Sequence, residues 1–283
     1  VQASETKLIH SKTFWRSSRN LTFSFFLFCS ISSGCARTPW TDPLDAGQAD
    51  SIVQFLQSDN LRAESCPESI DGDISLSYRN VFDKKNMAGY FQIISPSFIK
   101  LVVSNPFGQP ILILTSDQKS FQLINTMKRM YIAGSLYSYG LQNDIPLTLL
   151  KGNWQDWIRG TISVKPSAIT NIRRDVENRG TWITAASETE GNFLKTHLLI
   201  EPDKGVLLSR IIEDDKGDRL SEFNYNEWES VGGCRQPYSI RVTDLQYHTE
   251  ITIKLSDVLA AEKVAENEFL LTAPANYLQQ LIP

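Results

Sequence analysis

The chain has 283 residues, enough for one large domain or two small ones, and carries 28 basic against 32 acidic side chains. No basic cluster breaks that mildly acidic balance, so nucleic acid and simple polybasic membrane docking are not expected. Four cysteines and three histidines occur without any CxxC or HxxxH spacing, so no metal site is expected.

The first twenty residues carry Lys7, Lys12, Arg16 and Arg19 against Glu5. An apolar run follows, from Leu21 to Ile31. It is roughly eleven residues long, about half of what spans a bilayer. Ser32, Ser33 and Gly34 then lead to Cys35. Basic segment, short apolar run and small residues make the layout of a secretory signal peptide. Ser-Ser-Gly-Cys resembles the lipobox of bacterial lipoproteins, where cleavage falls before a Cys that is already lipid-modified. Ser32 departs from that pattern, which usually has Leu there. The resemblance implies a signal peptide over 1–34 and a lipidated Cys35 (acyl chains such as palmitate) that holds the protein on a membrane. Ala36, where an Asp would retain a lipoprotein at the inner membrane, implies the outer membrane. An ordinary signal peptide cut nearby, or a retained N-terminal anchor, are the alternatives.

Residues 35–48 are polar with two prolines and read as a tether, and 49–283 as a single domain. From Ala49 to Asp59 the apolar Ile52, Val53, Phe55 and Leu56 share one helical face, with Asp45 as a cap. After Cys66-Pro67 the pattern turns to strands: Ile70–Asn80, Met87–Ser95, Phe98–Ser104, Ile111–Ser116, Ser120–Asn125 and Arg129–Ser135. Asp83-Lys84-Lys85-Asn86, Ser95-Pro96, Asn105-Pro106-Phe107-Gly108 and Ser116-Asp117-Gln118-Lys119 separate them as turns. Asp144-Ile145-Pro146 opens a helical stretch in which Leu147, Leu150, Trp154 and Trp157 recur at helical spacing, with Gly152 able to split it and Gly160 closing it. Strands then resume at Ile172–Glu177, Thr181–Ser187, Phe193–Glu201, Val206–Asp214, Arg219–Trp228, Tyr238–Leu245 and Thr249–Leu259. Asp203-Lys204-Gly205 and Asp215-Lys216-Gly217 read as hairpin turns among them. Such short connections favour antiparallel neighbours. A single antiparallel sheet of about eleven to thirteen strands is too large to stay flat and should curl towards a barrel.

In Glu250–Ser256 apolar and polar residues alternate, so that sheet region has one dry and one wet face. Phe98–Val103, Ile111–Leu114 and Val206–Ile212 are apolar on both faces and need cover on both. The helices either complete a filled core or form a lid over an apolar cavity, and composition does not separate the two.

The signals for catalysis are weak. His197 and His248 lie in or beside strands without a second ligand at metal spacing, and no G-x-S-x-G, phosphate-binding or dinucleotide motif occurs. No cofactor and no enzymatic activity are expected, although two acids distant in sequence could still meet for glycoside hydrolysis. In an oxidising compartment Cys66 and Cys234 would pair, closing a long loop worth about 4–5 kcal/mol in the chain-entropy model. Two buried free thiols are the alternative.

The run Y-F-Q-I-I-S-P-S-F-I-K-L-V-V-S-N-P-F-G-Q-P-I-L-I-L from Tyr90, the segment D-I-P-L-T-L-L-K-G-N-W, and the closing I-T-I-K-L-S-D-V and F-L-L-T-A-P resemble LolB. LolB proteins are outer-membrane lipoproteins that receive other lipoproteins from the periplasmic carrier LolA. The resemblance implies a mainly β fold, an open antiparallel half-barrel with helices over its concave apolar face. It implies an acyl-chain cavity, here lined by residues such as Leu101, Val103, Ile113, Leu150 and Trp154. Phe107 takes the place of the family's exposed Leu in Asn-Pro-Leu-Gly and would enter the bilayer, unless it packs on a neighbouring loop. The implied partners are acylated lipoproteins or other amphiphiles, a LolA-like carrier and outer-membrane lipid, with the protein facing the periplasm. The region from Trp182 to Trp228 does not match closely, and Trp40, Cys66 and Cys234 are extra. A paralogue for another amphiphile, a lipid or lipoprotein sensor, an assembly scaffold and a hydrolase on a barrel are the other readings.

Overall fold

The computed structural model describes residues 38–283 except 95, 96, 144, 146–152, 190, 191, 246, 247 and 262–264. The expected first helix is α1, Ala46–Ala63. Asp45 sits outside it in extended conformation, and its carboxylate accepts the Gln48 N–H at 2.9 Å, satisfying one of the unpaired donors of the first turn. Ile52 and Leu56 are buried on its inner stripe.

The strands are β1 (Trp40–Pro43), β2 (Ser69–Arg79), β3 (Lys84–Ile94), β4 (Phe98–Ser104), β5 (Pro110–Ser116), β6 (Ser120–Asn125) and β7 (Met130–Ser135). They continue with β8 (Ile169–Asp175), β9 (Thr181–Thr189), β10 (Asn192–Glu201), β11 (Val206–Glu213), β12 (Arg219–Val231), β13 (Cys234–Leu245), β14 (Thr249–Ala260) and β15 (Leu278–Ile282). Two short helices, α2 (Leu136–Gln142) and α3 (Trp154–Arg159), lie between β7 and β8.

All strands join one 15-stranded sheet in the order β1-β8-β9-β10-β11-β12-β13-β14-β2-β3-β4-β5-β6-β7-β15. Two meanders, β2–β7 and β8–β14, are therefore fused where β14 pairs with β2. The sheet is curved and unclosed, with few helices, as an open half-barrel is. Register shifts between Leu199 and Ile200, Val242 and Leu245, and Ser256 and Leu259 interrupt the ladders. Bulges of this kind increase the local right-handed twist that bends a large sheet.

The sheet has fifteen strands, against the eleven to thirteen expected. The segment expected as a tether enters it, since Trp40–Pro43 is β1 and pairs with β8. At the other edge β15 runs parallel to β7. The chain reaches that edge by crossing the face of β4–β6 away from the helices. Phe269 packs on Phe98 at 5.6 Å, Lys100 Nζ donates to the Glu268 carbonyl, and the Leu271 N–H donates to Gln122. Gly134, at φ 142, permits the close approach of β15, because a Cβ there would lie 1.8 Å from the Ile282 carbonyl oxygen.

The helix-bearing face holds the core. Beneath α1 and Trp157, the residues Ile183, Leu198, Ile200, Leu207, Phe223 and Ile240 are packed to near-complete burial. A second cluster joins Phe91 and Ile93 to Ile158 of α3, and a third joins Phe121, Leu123 and Ile132 to Leu136 of α2. A disulfide between Cys66 and Cys234 ties the chain after α1 to the β12–β13 turn, with the Cα atoms 5.6 Å apart.

Candidate ligand-binding face

Residues directly opposite across an antiparallel ladder share a face, and neighbours along a strand do not. Leu101 stands opposite Phe91 and Leu114, and Val103 opposite Gly89 and Leu112. Phe91 belongs to the cluster under α3, and Leu114 to the cluster with Trp154. Leu101 and Val103 therefore lie on the helix-bearing face. Ile113 stands opposite Val102 and Ile124 and points to the other face, so its expected place in the cavity is corrected. Leu112 and Leu114 occupy the positions sought, and periodicity could not select them because Ile111–Leu114 is apolar at every position. Leu150 lies outside the described residues, as do Cys35 and the opening of the expected lid helix.

Trp154 opens α3 and packs between two clusters, the tight core below α1 and the β5–β7 cluster. Trp157, one turn on, packs on Phe223 with ring centroids 4.7 Å apart. Several polar clamps fix this helix. The Asn153 side chain caps it by accepting from Gln155 and Asp156 N–H groups, and it also accepts from Gln118 Nε2 at 3.0 Å. The buried Gln155 amide donates to the Ile94 carbonyl, Arg159 donates to the Pro67 and Glu68 carbonyls, and Gln236 Nε2 donates to the Ile158 carbonyl. Gly160 ends the helix in the left-handed region at φ 62, the conformation glycine adopts at least cost.

The two halves of the face differ in packing. Under α1 the central side chains are almost fully buried. Across β4–β7 the inward-facing Ile99, Leu101, Leu112, Leu114 and Met130 are only half-buried. Burial of another methylene there would be worth about 0.8 kcal/mol. The chemistry on offer is non-directional burial of hydrocarbon.

Among the described residues, cavities also lie elsewhere. One of about 340 Å³ is lined by Cys66, Cys234, Ile70, Gln155, Asp156 and Arg159. Another of about 290 Å³ lies between Val206, Leu208, Tyr225, Trp228, Arg235 and Glu201. Both have charged groups in their walls. Among the described residues no group of His, Cys, Asp and Glu is placed to hold a metal ion. No described helix is long and apolar enough to cross a membrane.

His197 lies on the other face in a row of hydroxyl, imidazole and carboxylate. Its Nδ1 is 2.9 Å from Thr184 Oγ1, and its Nε2 is 3.0 Å from Glu213 Oε2. The imidazole is buried and stacked on Trp40, with ring centroids 4.6 Å apart. Burial lowers its pKa, with Glu213 opposing the shift. His248 is exposed at the β13–β14 turn, at φ 52.

Phe107 is exposed at the β4–β5 turn, which removes the alternative of packing against a neighbouring loop. The Asn105 side-chain oxygen accepts the N–H groups of Phe107 and Gln109, at 2.9 and 3.0 Å. Gly108 completes the turn at φ 78.

No protein-family model matches this chain, and no curated protein matches it in sequence. Solved structures of similar layout include LolA-superfamily, DUF1329 and lipoprotein-sorting proteins. A LolA superfamily protein from Nitrosomonas europaea is 12% identical, with 79% of this chain and 97% of that chain covered at a TM-score of 0.48. A DUF1329 family protein from Desulfovibrio piger is 9% identical, with 81% and 98% covered at a TM-score of 0.49. A domain named for outer membrane lipoprotein sorting, from Vibrio parahaemolyticus, is 10% identical, with 78% and 97% covered at a TM-score of 0.43. Likenesses of this size assign neither ligand nor activity.

Proposed function

We propose that this protein binds acyl chains, of lipoproteins or of another amphiphile, on the helix-bearing face of β4–β7, and passes them to a membrane without covalent chemistry. The observation that carries the reading is the contrast within one sheet. The centre of the half below α1 is almost fully buried, whereas Ile99 and Leu101, and Leu112, Leu114 and Met130 beside Trp154, stay half-buried among the buried Val103, Phe121, Leu123 and Ile132. An apolar face kept partly open can exchange hydrocarbon with a bilayer that offers similar burial.

In this reading a lipid on Cys35 anchors the protein to the outer membrane, facing the periplasm, and a LolA-like carrier hands over the cargo. The sequence pattern Ser-Ser-Gly-Cys and the LolB-like segments support both steps. The test is titration of the full chain with a fluorescent fatty-acyl probe. Saturable binding, competed by an unlabelled acylated peptide, is the expected result. Partition that rises linearly without saturation removes the carrier reading.

A further inference from the structure

In an antiparallel meander alternate turns fall at the same end. The β2–β3, β4–β5 and β6–β7 turns therefore lie side by side, two strand spacings or about 10 Å from one to the next. Each opens with an asparagine and carries a large apolar residue two positions on: Asn80-Val81-Phe82, Asn105-Pro106-Phe107 and Asn125-Thr126-Met127. Phe82, Phe107 and Met127 are 83%, 89% and 77% exposed.

Each asparagine builds its turn by the same device. Asn80 accepts from the Phe82 and Asp83 N–H groups at 2.8 and 2.7 Å, as Asn105 does from Phe107, and Asn125 accepts from Lys128 at 2.9 Å. The apolar residues are thus held outward by satisfied backbone rather than left on loose loops. At the opposite end of the same strands the β5–β6 turn is Asp117-Gln118-Lys119, which carries no large apolar side chain.

The charges around the three tips have one sign in excess. Asp83 pairs with Lys85, and Glu250 pairs with Arg79 and Arg241. Lys84, Lys128 and Arg129 are exposed and have no carboxylate partner among the described residues. The sequence holds no long basic run, and the topology alone assembles these cations around the apolar tips.

From this arrangement we infer that the β2–β3, β4–β5 and β6–β7 tips form a three-pronged docking edge for the surface of an anionic lipid bilayer. Beyond the entry of Phe107 that the LolB resemblance implies, Phe82 and Met127, with Val81 beside Phe82, enter the interface. Lys84, Lys128 and Arg129 meet anionic headgroups at the level where the backbone stays hydrated. Apolar side chains backed by cations are the combination that interfacial binding needs. The edge also adjoins the ligand face: Met130 follows the third tip directly, and Leu112 lies two residues inside β5 from its start at Pro110. Docking does not depend on acyl-chain binding, and the two readings fail in different experiments.

The test uses the full chain, so that residues 1–37 contribute equally to every variant. Co-sedimentation with vesicles of phosphatidylcholine, with and without phosphatidylglycerol, is compared for the unaltered chain and for the triple variant F82S/F107S/M127S. The substituted residues are exposed, so the unfolding transition should be unchanged and acyl-probe binding should persist. Partition of the triple variant on anionic vesicles should fall by at least about tenfold. A second variant, K84S/K128S/R129S, should lose the preference for anionic vesicles and its sensitivity to salt. Independently, a Phe107→Trp variant should gain a fluorescence component quenched by brominated lipid that a Lys119→Trp variant at the opposite end does not show. Equal partition of the triple variant and the unaltered chain, or equal quenching at 107 and 119, overturns the inference and leaves the tips to a protein partner.

Discussion

At the scale of single residues, His197 shows how a group that attracts notice in sequence can have a structural role. Its imidazole bridges Thr184 of β9 and Glu213 of β11, and carries Trp40 on its ring. Burial lowers its folded pKa below the ordinary 6.5, so the neutral ring is the native form. As pH falls below about 6.5 the unfolded chain takes up a proton that the folded chain refuses, so stability is lost from that point down to the folded pKa. The thermal unfolding midpoint should therefore fall between pH 7.5 and pH 5 by more in the unaltered chain than in His197→Asn. Equal slopes in the two would show that the ring titrates alike in both states. Asp175 acts in the same sense at lower pH. Burial pushes its carboxyl up, but the Arg179 side chain, Trp182 Nε1 and the Arg179 N–H together hold it below the usual range.

At the scale of elements, the strands from Ile70 to Leu259 were legible because their punctuation is local. Asn105-Pro106-Phe107-Gly108 and Asp203-Lys204-Gly205 close hairpins with chemistry that sits inside the turn itself. The Asp45 cap was legible for the same reason. Trp40–Pro43 and Leu278–Ile282 were not, because each is a strand only by virtue of a distant partner, β8 and β7 respectively. The missed α2 has a local cap, with Ser135 Oγ accepting from the Ser138 N–H at 3.1 Å, but it holds two tyrosines and a glycine in seven residues. Its place is fixed by Leu136 and by Tyr139 packing on Phe121 at 4.6 Å. The disulfide is another long-range link, with its cysteines separated by 168 positions. The paired variant Cys66→Ser/Cys234→Ser should lose up to about 5 kcal/mol, the chain-entropy value for so long a loop. Urea unfolding of both forms measures it. A loss below about 1 kcal/mol would mean that the unfolded chain without the bond already keeps residual structure that limits the entropy gained.

At the scale of the whole molecule, the two halves of the sheet differ in packing, and register decides which residues face the helices. Ile111–Leu114 could face either way by composition. The β4–β5 pairing of Leu101 with Leu114, and of Val102 with Ile113, settles the matter across the whole meander. That assignment puts adjacent residues on opposite faces, and the proposed acyl-chain site can be tested on them. Leu114→Ser removes an apolar group from the helix-bearing face beside Trp154, and acyl-probe affinity should fall by about tenfold or more, the cost of a few unburied methylenes. Ile113→Ser makes the same kind of change one residue away, on the face crossed by the C-terminal segment. Its affinity should stay within about twofold of the unaltered chain, since nothing on the ligand face is lost. Both variants remove half-buried apolar area, so each should lower stability somewhat, and the unfolding midpoints control for that shared effect. Equal loss of binding in the two would place the ligand off the helix-bearing face, or spread it across the sheet edge. Loss in Ile113→Ser alone would reverse the face on which hydrocarbon is held.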